Sequence, residues 1–264
     1  MKTLYKRLIA IPMVVFCSML LFTSCEDFLA EKPYDFYDEQ DFYKDVSELE
    51  LAVNGAYEVL SQKMTYGHFM LVNDCDTDLS HIKGSGTGHT ARDLGHYNIY
   101  TSHNWLEEAW GYYYTGIDRV NRIMANKERV DLPDEASQVT FKRLIAEARL
   151  LRGICYFDLV RMWGDVPLKL TASDKTENFA VTRTNREEVY QQIVDDMEAA
   201  VTDLPWYNEV SSYEGRPTKG AAMGLLARAY LFRAGYSLHQ NGKMERPDNY
   251  LEYYKSKRNL CRTD

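Results

Sequence analysis

Positive charge is in short supply in this 264-residue chain: 31 Lys and Arg stand against 39 Asp and Glu, a net charge of −8. Gripping a nucleic-acid backbone requires clustered cations, so that partner class is excluded. Long apolar runs are lacking as well. The run Leu8 to Phe22 (LIAIPMVVFCSMLLF) has 15 residues and contains Pro12, short of the roughly 20 that span a bilayer as a helix, and no other segment approaches that length. Strand-like alternation comparable with the helical periods is absent, and no strict 34-residue self-repeat is visible.

The front end supplies what those absences leave open. Lys2, Lys6 and Arg7 precede the apolar run, and the small polar residues Thr23 and Ser24 lead into Cys25. A charged start, a short apolar middle and a small-residue exit make residues 1–24 a secretory signal. Ser24 directly before Cys25 resembles the lipobox of a bacterial lipoprotein, which makes Cys25 the lipidated residue and the mature N-terminus. Acyl chains at about 0.8 kcal/mol per buried CH2 then hold residues 25–264 on a membrane. Removing residues 1–24 takes away three positive and no negative charges and moves the net charge from −8 to −11. The acyl chains rather than a basic patch therefore make the membrane contact. Cys17 leaves with the signal, and the widely spaced Cys75, Cys155 and Cys261 form no disulfide framework.

Helical periods dominate the body. Glu26 to Asp41 reads as an acidic and aromatic tether, followed by a helix over about Lys44 to Lys63 with Leu49, Val53, Ala56, Tyr57 and Leu60 on one face. Asn73 to Asn104 has no sustained period and reads as one long irregular loop, a kind that is functional or disordered in compact domains. Trp105 to Lys127 returns to a helix with a stripe of Trp110, Tyr114, Ile117, Asn121 and Met124. The next, from Leu132 to Trp163, places Leu144, Ala148, Leu151, Cys155 and Leu159 together, and Gly164 and Pro167 end it. Thr184-Asn185-Arg186-Glu187 reads as a capping box for a helix carrying Val189, Ile193, Met197, Ala200 and Leu204. A last helix begins at Thr218, where Ala221, Ala222, Ala227 and Ala229 allow close approach. The fold class is all-α, built from antiparallel helix pairs resembling tetratricopeptide repeats.

Signals for bond chemistry are weak. Asp74, Asp76 and Asp78 alternate as in a calcium loop, yet Leu79 and Ser85 stand where glycine and glutamate are required, which excludes an EF-hand. Gly84-Ser85-Gly86-Thr87-Gly88 has neither the Gly-Lys-Ser/Thr continuation nor the preceding strand of a phosphate loop. His81, His89, His96 and His103 recur at intervals of eight, seven and seven, wider than the pairs that zinc sites favour. Glu107 and Glu108 are helix neighbours that point apart, unlike the two carboxylates flanking a cleft in glycosidases. Cys155 lies mid-helix on an apolar face and reads as inert packing. No enzyme activity, cofactor or metal is expected.

Several stretches taken together resemble one family. They are SCEDFL at the lipid site; the W-x3-Y-x2-I-x-R-x-N pattern of Trp110, Tyr114, Ile117, Arg119 and Asn121; AEARLLRGICYFDLVRMWGDVPL from Ala146 to Leu168; and RPTKGAAMGLLARAYL from Arg216 to Leu231. In this order they are similar to the N-terminal part of the SusD/RagB nutrient-uptake lipoproteins. The resemblance implies a non-catalytic outer-membrane lipoprotein that binds a glycan, or in some members peptides, and sits over a TonB-dependent transporter barrel. Acids such as Glu26 and Asp27 beside the lipid cysteine resemble a surface-export signal, placing the body on the cell exterior. Family members run to about twice this length, so residues 25–264 are expected to correspond to the N-terminal half, with the C-terminal half missing. The alternatives are a helical-repeat scaffold lipoprotein for envelope assembly and a truncated member that no longer functions.

Within that reading the ligand-binding candidates lie at the distal end of the loop, His96 to Trp105. Sugar rings present apolar C–H faces that stack on aromatic rings, and their hydroxyls require amide or charged partners. Tyr97, Tyr100, Asn104 and Trp105 supply both. The competing reading has Tyr100 and Trp105 packing the start of the next helix.

Overall fold

Capping and burial together mark out seven helices among the described residues. A computed structural model of the chain describes residues 42–67, 77–84, 91–173, 180–209, 215–239 and 241–260. The expected signal 1–24, the expected lipidation residue Cys25, the expected tether and Asp74, Asp76 and His89 lie outside them. The helices are α1 (Val46–Ser61), the short α2 (Ala91–Gly95), α3 (Asn104–Asn126), α4 (Glu135–Trp163), α5 (Arg186–Asp203), α6 (Lys219–Ala234) and α7 (Tyr250–Leu260). A two-stranded antiparallel hairpin, β1 (Ser237–Leu238) and β2 (Met244–Glu245), precedes α7.

Aspartate and threonine side chains start the helices by accepting otherwise orphaned N–H groups. Asp45 accepts from Glu48 N at 2.9 Å, Asp134 from Ser137 N at 2.7 Å, and Thr218 from Ala221 N at 3.4 Å. The expected capping box shifts by one residue. Asn185 is the cap, its Oδ1 accepting from Glu187 N at 2.8 Å. Thr184 is already committed: its N–H donates to Val166 O at 3.0 Å and its hydroxyl accepts from Leu168 N at 3.3 Å. Gly164 ends α4 at φ 74, a left-handed backbone that glycine adopts without the steric cost of a Cβ.

Consecutive helices pack side by side, α1 with α3, α3 with α4, α4 with α5, α5 with α6 and α6 with α7. Their directions alternate. Along α3 and α4, Gly116 meets Cys155 while Asn121 meets Arg152; along α4 and α5, Arg152 meets Asp196 while Asp165 meets Arg186. Such a ladder of antiparallel neighbours is the tetratricopeptide-like arrangement the periods predict.

Helix α4 forms the axis and is buried on nearly all sides from Arg143 to Val160. Leu144, Ala148, Leu151, Cys155 and Leu159 are buried as expected, and so are Leu150 and Phe157 on the other flank. Each fully buried Leu or Ile contributes roughly 1.5–3 kcal/mol relative to an exposed one. The stripe on α3 is displaced from expectation. Its buried face is Ala109, Tyr113, Gly116, Ile117, Val120, Asn121 and Ile123, while Trp110 and Tyr114 stand half-buried at the edge. The reason is that α3 is packed between α1 and α4, so small residues take the close approaches. Trp110 instead meets Trp163 edge-on at 5.4 Å, and the Tyr114 hydroxyl donates to Pro167 O at 2.7 Å. Helix α7 and the hairpin carry no comparable sequence signal. No residue of α7 is buried, and α7 is held through Tyr253, stacked near Tyr230 and beneath the Arg233 guanidinium 4.3 Å from its ring centre.

Candidate functional site

The loop ahead of α3 is anchored from both ends. Asp93 and His103 are both fully buried, with His103 Nε2 4.0 Å from an Asp93 carboxylate oxygen. Asp93 O accepts from Asn98 N at 2.8 Å, and His103 O accepts from Glu107 N at 3.1 Å, so the segment between them is pinned at its base. On that base, His96 Nε2 lies 2.9 Å from Ile82 O and its ring stacks on His81 at 5.0 Å with planes 15° apart. The distal segment 91–100 is thereby tied to the earlier segment 77–84.

These two segments enclose a shallow open depression of about 320 Å³ lined by Thr77, Asp78, Leu79, Ser80, His81, Gly95 and Tyr97. Tyr97 is 71% exposed and holds φ 57, the left-handed region that a bulky residue occupies at a cost of roughly 1–2 kcal/mol. Tyr43 shares the conformation at φ 69, but it is buried and its ring is part of the core. Among the described residues, only at Tyr97 does this unusual backbone present an aromatic ring to solvent.

The four residues singled out by the sequence separate into two settings. Tyr97 lines the depression. Tyr100 is half-buried with its ring 5.6 Å from that of His103, Asn104 is exposed at the first turn of α3, and Trp105 is half-buried against the core with the Lys63 ammonium 5.7 Å from its ring centre. The depression also uses Asp78, Leu79 and His81, which lie 16 or more residues upstream of Tyr97 and have no periodic relation to it. The clustering of His81 and His96 in one unpatterned loop was the one signal in the sequence for their association. Among the described residues, no three His, Cys, Asp or Glu side chains are grouped to hold a metal ion.

The shared sequence stretches turn out to be internal scaffolding. Arg119 donates to Gly55 O and Glu58, and Asn121 donates to Lys169 O at 3.1 Å and Thr171 O at 3.0 Å. The buried Glu147 accepts from Tyr57 at 3.0 Å, from Arg216 at 2.8 Å, and from Arg143. Asp158, also buried, accepts from Tyr66 at 2.7 Å and Arg161 at 2.8 Å. Burial raises its pKa above the usual carboxylate range, an effect the Tyr66 and Arg161 bonds only partly offset. The Tyr57, Tyr66 and Tyr113 hydroxyls are pushed far up, first by burial and then by the neighbouring carboxylates, so all three stay protonated, Tyr57 and Tyr66 as donors to Glu147 and Asp158.

Residues 27–231 match the SusD-like family described as "Starch-binding associating with outer membrane". A SusD-like protein of Formosa agariphila is 26% identical over 220 residues, covering 83% of this chain and 42% of the relative. Among solved structures, a SusD homolog from Bacteroides thetaiotaomicron has a TM-score of 0.73 at 27% identity, covering 85% of this chain and 41% of that one. A laminarin-binding SusD-like protein has a TM-score of 0.62 at 26% identity, over 73% of this chain and 41% of that one. The chain thus spans about two fifths of the length of the curated relatives it matches. The family match runs over most of the chain, from ahead of α1 into α6, and the fold is that of SusD homologues: the chain belongs to the SusD-like family.

Proposed function

We propose that this protein is a non-catalytic surface lipoprotein that binds glycan and delivers it to a TonB-dependent transporter of the outer membrane. The observation that carries the binding reading is Tyr97, an exposed ring on a left-handed backbone at the rim of an open depression. A pyranose stacked on that ring has the Asp78 carboxylate, the Ser80 hydroxyl and the His81 imidazole within the same depression for its hydroxyls. Tyr100, Asn104 and Trp105 stand outside the lining of the depression and enter this reading as residues that a longer glycan would reach. The family description and the laminarin-binding relative support a neutral glucan as ligand.

The anchoring half of the reading assigns acyl chains to Cys25 and places the body on the cell exterior. The charged start, the short apolar run and the Ser24-Cys25 junction support that attachment; among the described residues no helix is long and apolar enough to cross a membrane. Calorimetric titration of the full chain in mild detergent with laminarin and starch oligosaccharides is expected to give micromolar-range binding that Tyr97→Ala weakens. Unchanged affinity in that variant removes the site. Co-purification of a β-barrel partner from outer membranes tests the delivery step, and metabolic labelling with a palmitate analogue, lost on Cys25→Ala, tests the anchor.

A further inference from the structure

Between α5 and α6 the chain runs through Leu204-Pro205-Trp206-Tyr207-Asn208-Glu209, with Leu204 buried and the two aromatics after it turned outward. Trp206 is 41% exposed and Tyr207 82%. Tyr207 gains little from burial and Trp206 keeps two fifths of its surface in solvent, so the pair forms an adjacent exposed aromatic patch of the kind that marks interaction sites.

The turn that carries them is held firmly. Trp206 N donates to the Glu209 carboxylate at 2.8 Å, Glu209 N donates to Trp206 O at 3.0 Å, and Lys219 N ties Pro205 O to the first turn of α6 at 2.8 Å. Beneath the indole, Gly220 carries no side chain, and a Cβ there would sit 3.9 Å from a ring carbon; the Lys219 ammonium stands 5.7 Å from the ring centre. The result is a firmly held turn with two exposed aromatic rings, the Glu209 carboxylate bonded to its backbone and the Lys219 ammonium beside the indole. The small cavity lined by Asn54, Tyr57, Gly215 and Arg216 is of another kind. Both terminal guanidinium nitrogens of Arg216 are taken by Glu147, Glu50 and Asn54, and the Tyr57 hydroxyl by Glu147.

We infer that the Trp206-Tyr207 turn is a second carbohydrate-stacking platform, used in addition to the Tyr97 depression and taking a neutral oligosaccharide by the C–H faces of its sugar rings. This rests on the reading of the protein as a glycan binder. Aromatic faces supply sequence-tolerant stacking, and the adjacent donors and acceptors meet ring hydroxyls. A chain of net charge −8 disfavours an acidic polymer at the same place. Two platforms on one body also let a long glycan engage twice, which raises apparent affinity for polymer over short oligomers.

Titration of the full chain in detergent with soluble laminarin and soluble starch, read by affinity electrophoresis and tryptophan fluorescence, tests this. Trp206 is the exposed member of the four tryptophans, so its emission is expected to shift on binding. The Trp206→Ala/Tyr207→Ala double variant is expected to lose roughly tenfold in polymer affinity with an unchanged melting temperature, and Tyr97→Ala to keep the Trp206 signal. Should the double variant unfold, Tyr207→Ala alone carries the test, since that ring is almost wholly in solvent. Wild-type affinity in the double variant, with binding lost in Tyr97→Ala, overturns the second platform and leaves glycan binding standing. The reverse pattern keeps the platform and removes the Tyr97 site. Polymer binding unchanged but barrel co-purification lost in the double variant reassigns the turn to a protein contact and also overturns the inference. A wild-type chain that binds neither polymer overturns both.

Discussion

Arg152 on α4 holds Asp196 on α5 through two parallel bonds, Nε to Oδ2 at 2.7 Å and Nη2 to Oδ1 at 2.8 Å, while its Nη1 reaches Asn121 on α3 at 2.8 Å. One buried guanidinium thus couples three helices. Asn121 in turn fixes the segment after α4 through Lys169 O and Thr171 O, so the chain's turn back toward α5 depends on the same junction.

Removing one partner of a buried pair leaves the other charge desolvated and alone, at a cost of about 3–5 kcal/mol. Arg152→Ala is expected to lower unfolding free energy by that amount in urea titration. Arg152→Lys is expected to recover only part of it, because an ammonium cannot reproduce the planar two-bond grip. Full stability in Arg152→Ala contradicts the junction.

Two glycines on α3 make opposite predictions. A Cβ at Gly116 would lie 3.1 Å from Cys155 Sγ and 3.2 Å from Val59 Cγ1, whereas one at Gly111 meets nothing within 4 Å. Gly116→Ala is expected to cost roughly 1–3 kcal/mol through overpacking. Gly111→Ala, in an exposed helical position, is expected to gain about 0.5–1 kcal/mol from helix propensity. Thermal melts of the pair decide the matter, and equal shifts would show that α1 and α4 do not close on α3 at Gly116.

Two aspartates give stability terms of opposite sign against pH. Burial alone would raise Asp118, but the bonds from Ser173 N at 2.6 Å and Arg122 Nε at 2.9 Å outweigh it and hold the carboxyl below its ordinary value. Its stabilisation is present above the unfolded value of about 3.9 and is lost as pH falls through the lower folded value. Asp158 is raised by burial, so its favourable contribution is present below the unfolded value and fades as pH rises through the higher folded one. Denaturation series over the acid range are expected to show the wild-type advantage over Asp118→Asn shrinking on acidification and that over Asp158→Asn growing. Parallel trends for the two variants refute the assignment.

Binding and stability separate at the candidate site. Tyr97→Ala removes an exposed ring while keeping the Cβ that makes φ 57 unfavourable, so its melting temperature is expected to hold while glycan affinity falls, and Tyr97→Gly is expected to raise it by relieving that φ. Trp105 packs against the core, so Trp105→Ala is expected to cost about 1–3 kcal/mol of stability whatever it does to binding. A Trp105→Ala protein of wild-type stability that no longer binds makes Trp105 the principal stacking ring instead.

Burial, followed by the nearby Asp158 carboxylate, pushes the Cys155 thiol far above its ordinary pKa. The thiolate is the reactive form, so Cys155 is expected to resist alkylation in the native protein and to react once urea unfolds it. Peptide mapping after timed iodoacetamide exposure measures this, and rapid native labelling would contradict the burial of α4.

Much of the fold was legible because helices signal themselves locally. The period through Leu144, Ala148, Leu151, Cys155 and Leu159 marks α4, Gly164 marks its end, and Thr218 marks the start of α6. The stripe on α3 was less legible. Which of its faces is buried depends on being packed between α1 and α4, and Trp110 and Tyr114 therefore stand at an edge that their hydrophobicity alone would not choose. Helix α7 was missed because it buries no residue and so leaves no apolar stripe.

At the candidate site the sequence by itself determined that an aromatic and amide-rich stretch leads into α3, with Tyr97 and Tyr100 ahead of the helix and Asn104 and Trp105 at its start. It likewise determined the helical class, because 3.6-residue periodicity is written along the chain. Tertiary structure decided the rest. It stacks His81 on His96 across 15 positions, joins Asp78 to Tyr97 in one depression, and sets Trp206 and Tyr207 on a turn held by Glu209 and Lys219. Those associations join residues with no shared period, and they exist only once the burial of Asp93, His103 and Leu204 has fixed where each loop begins and ends.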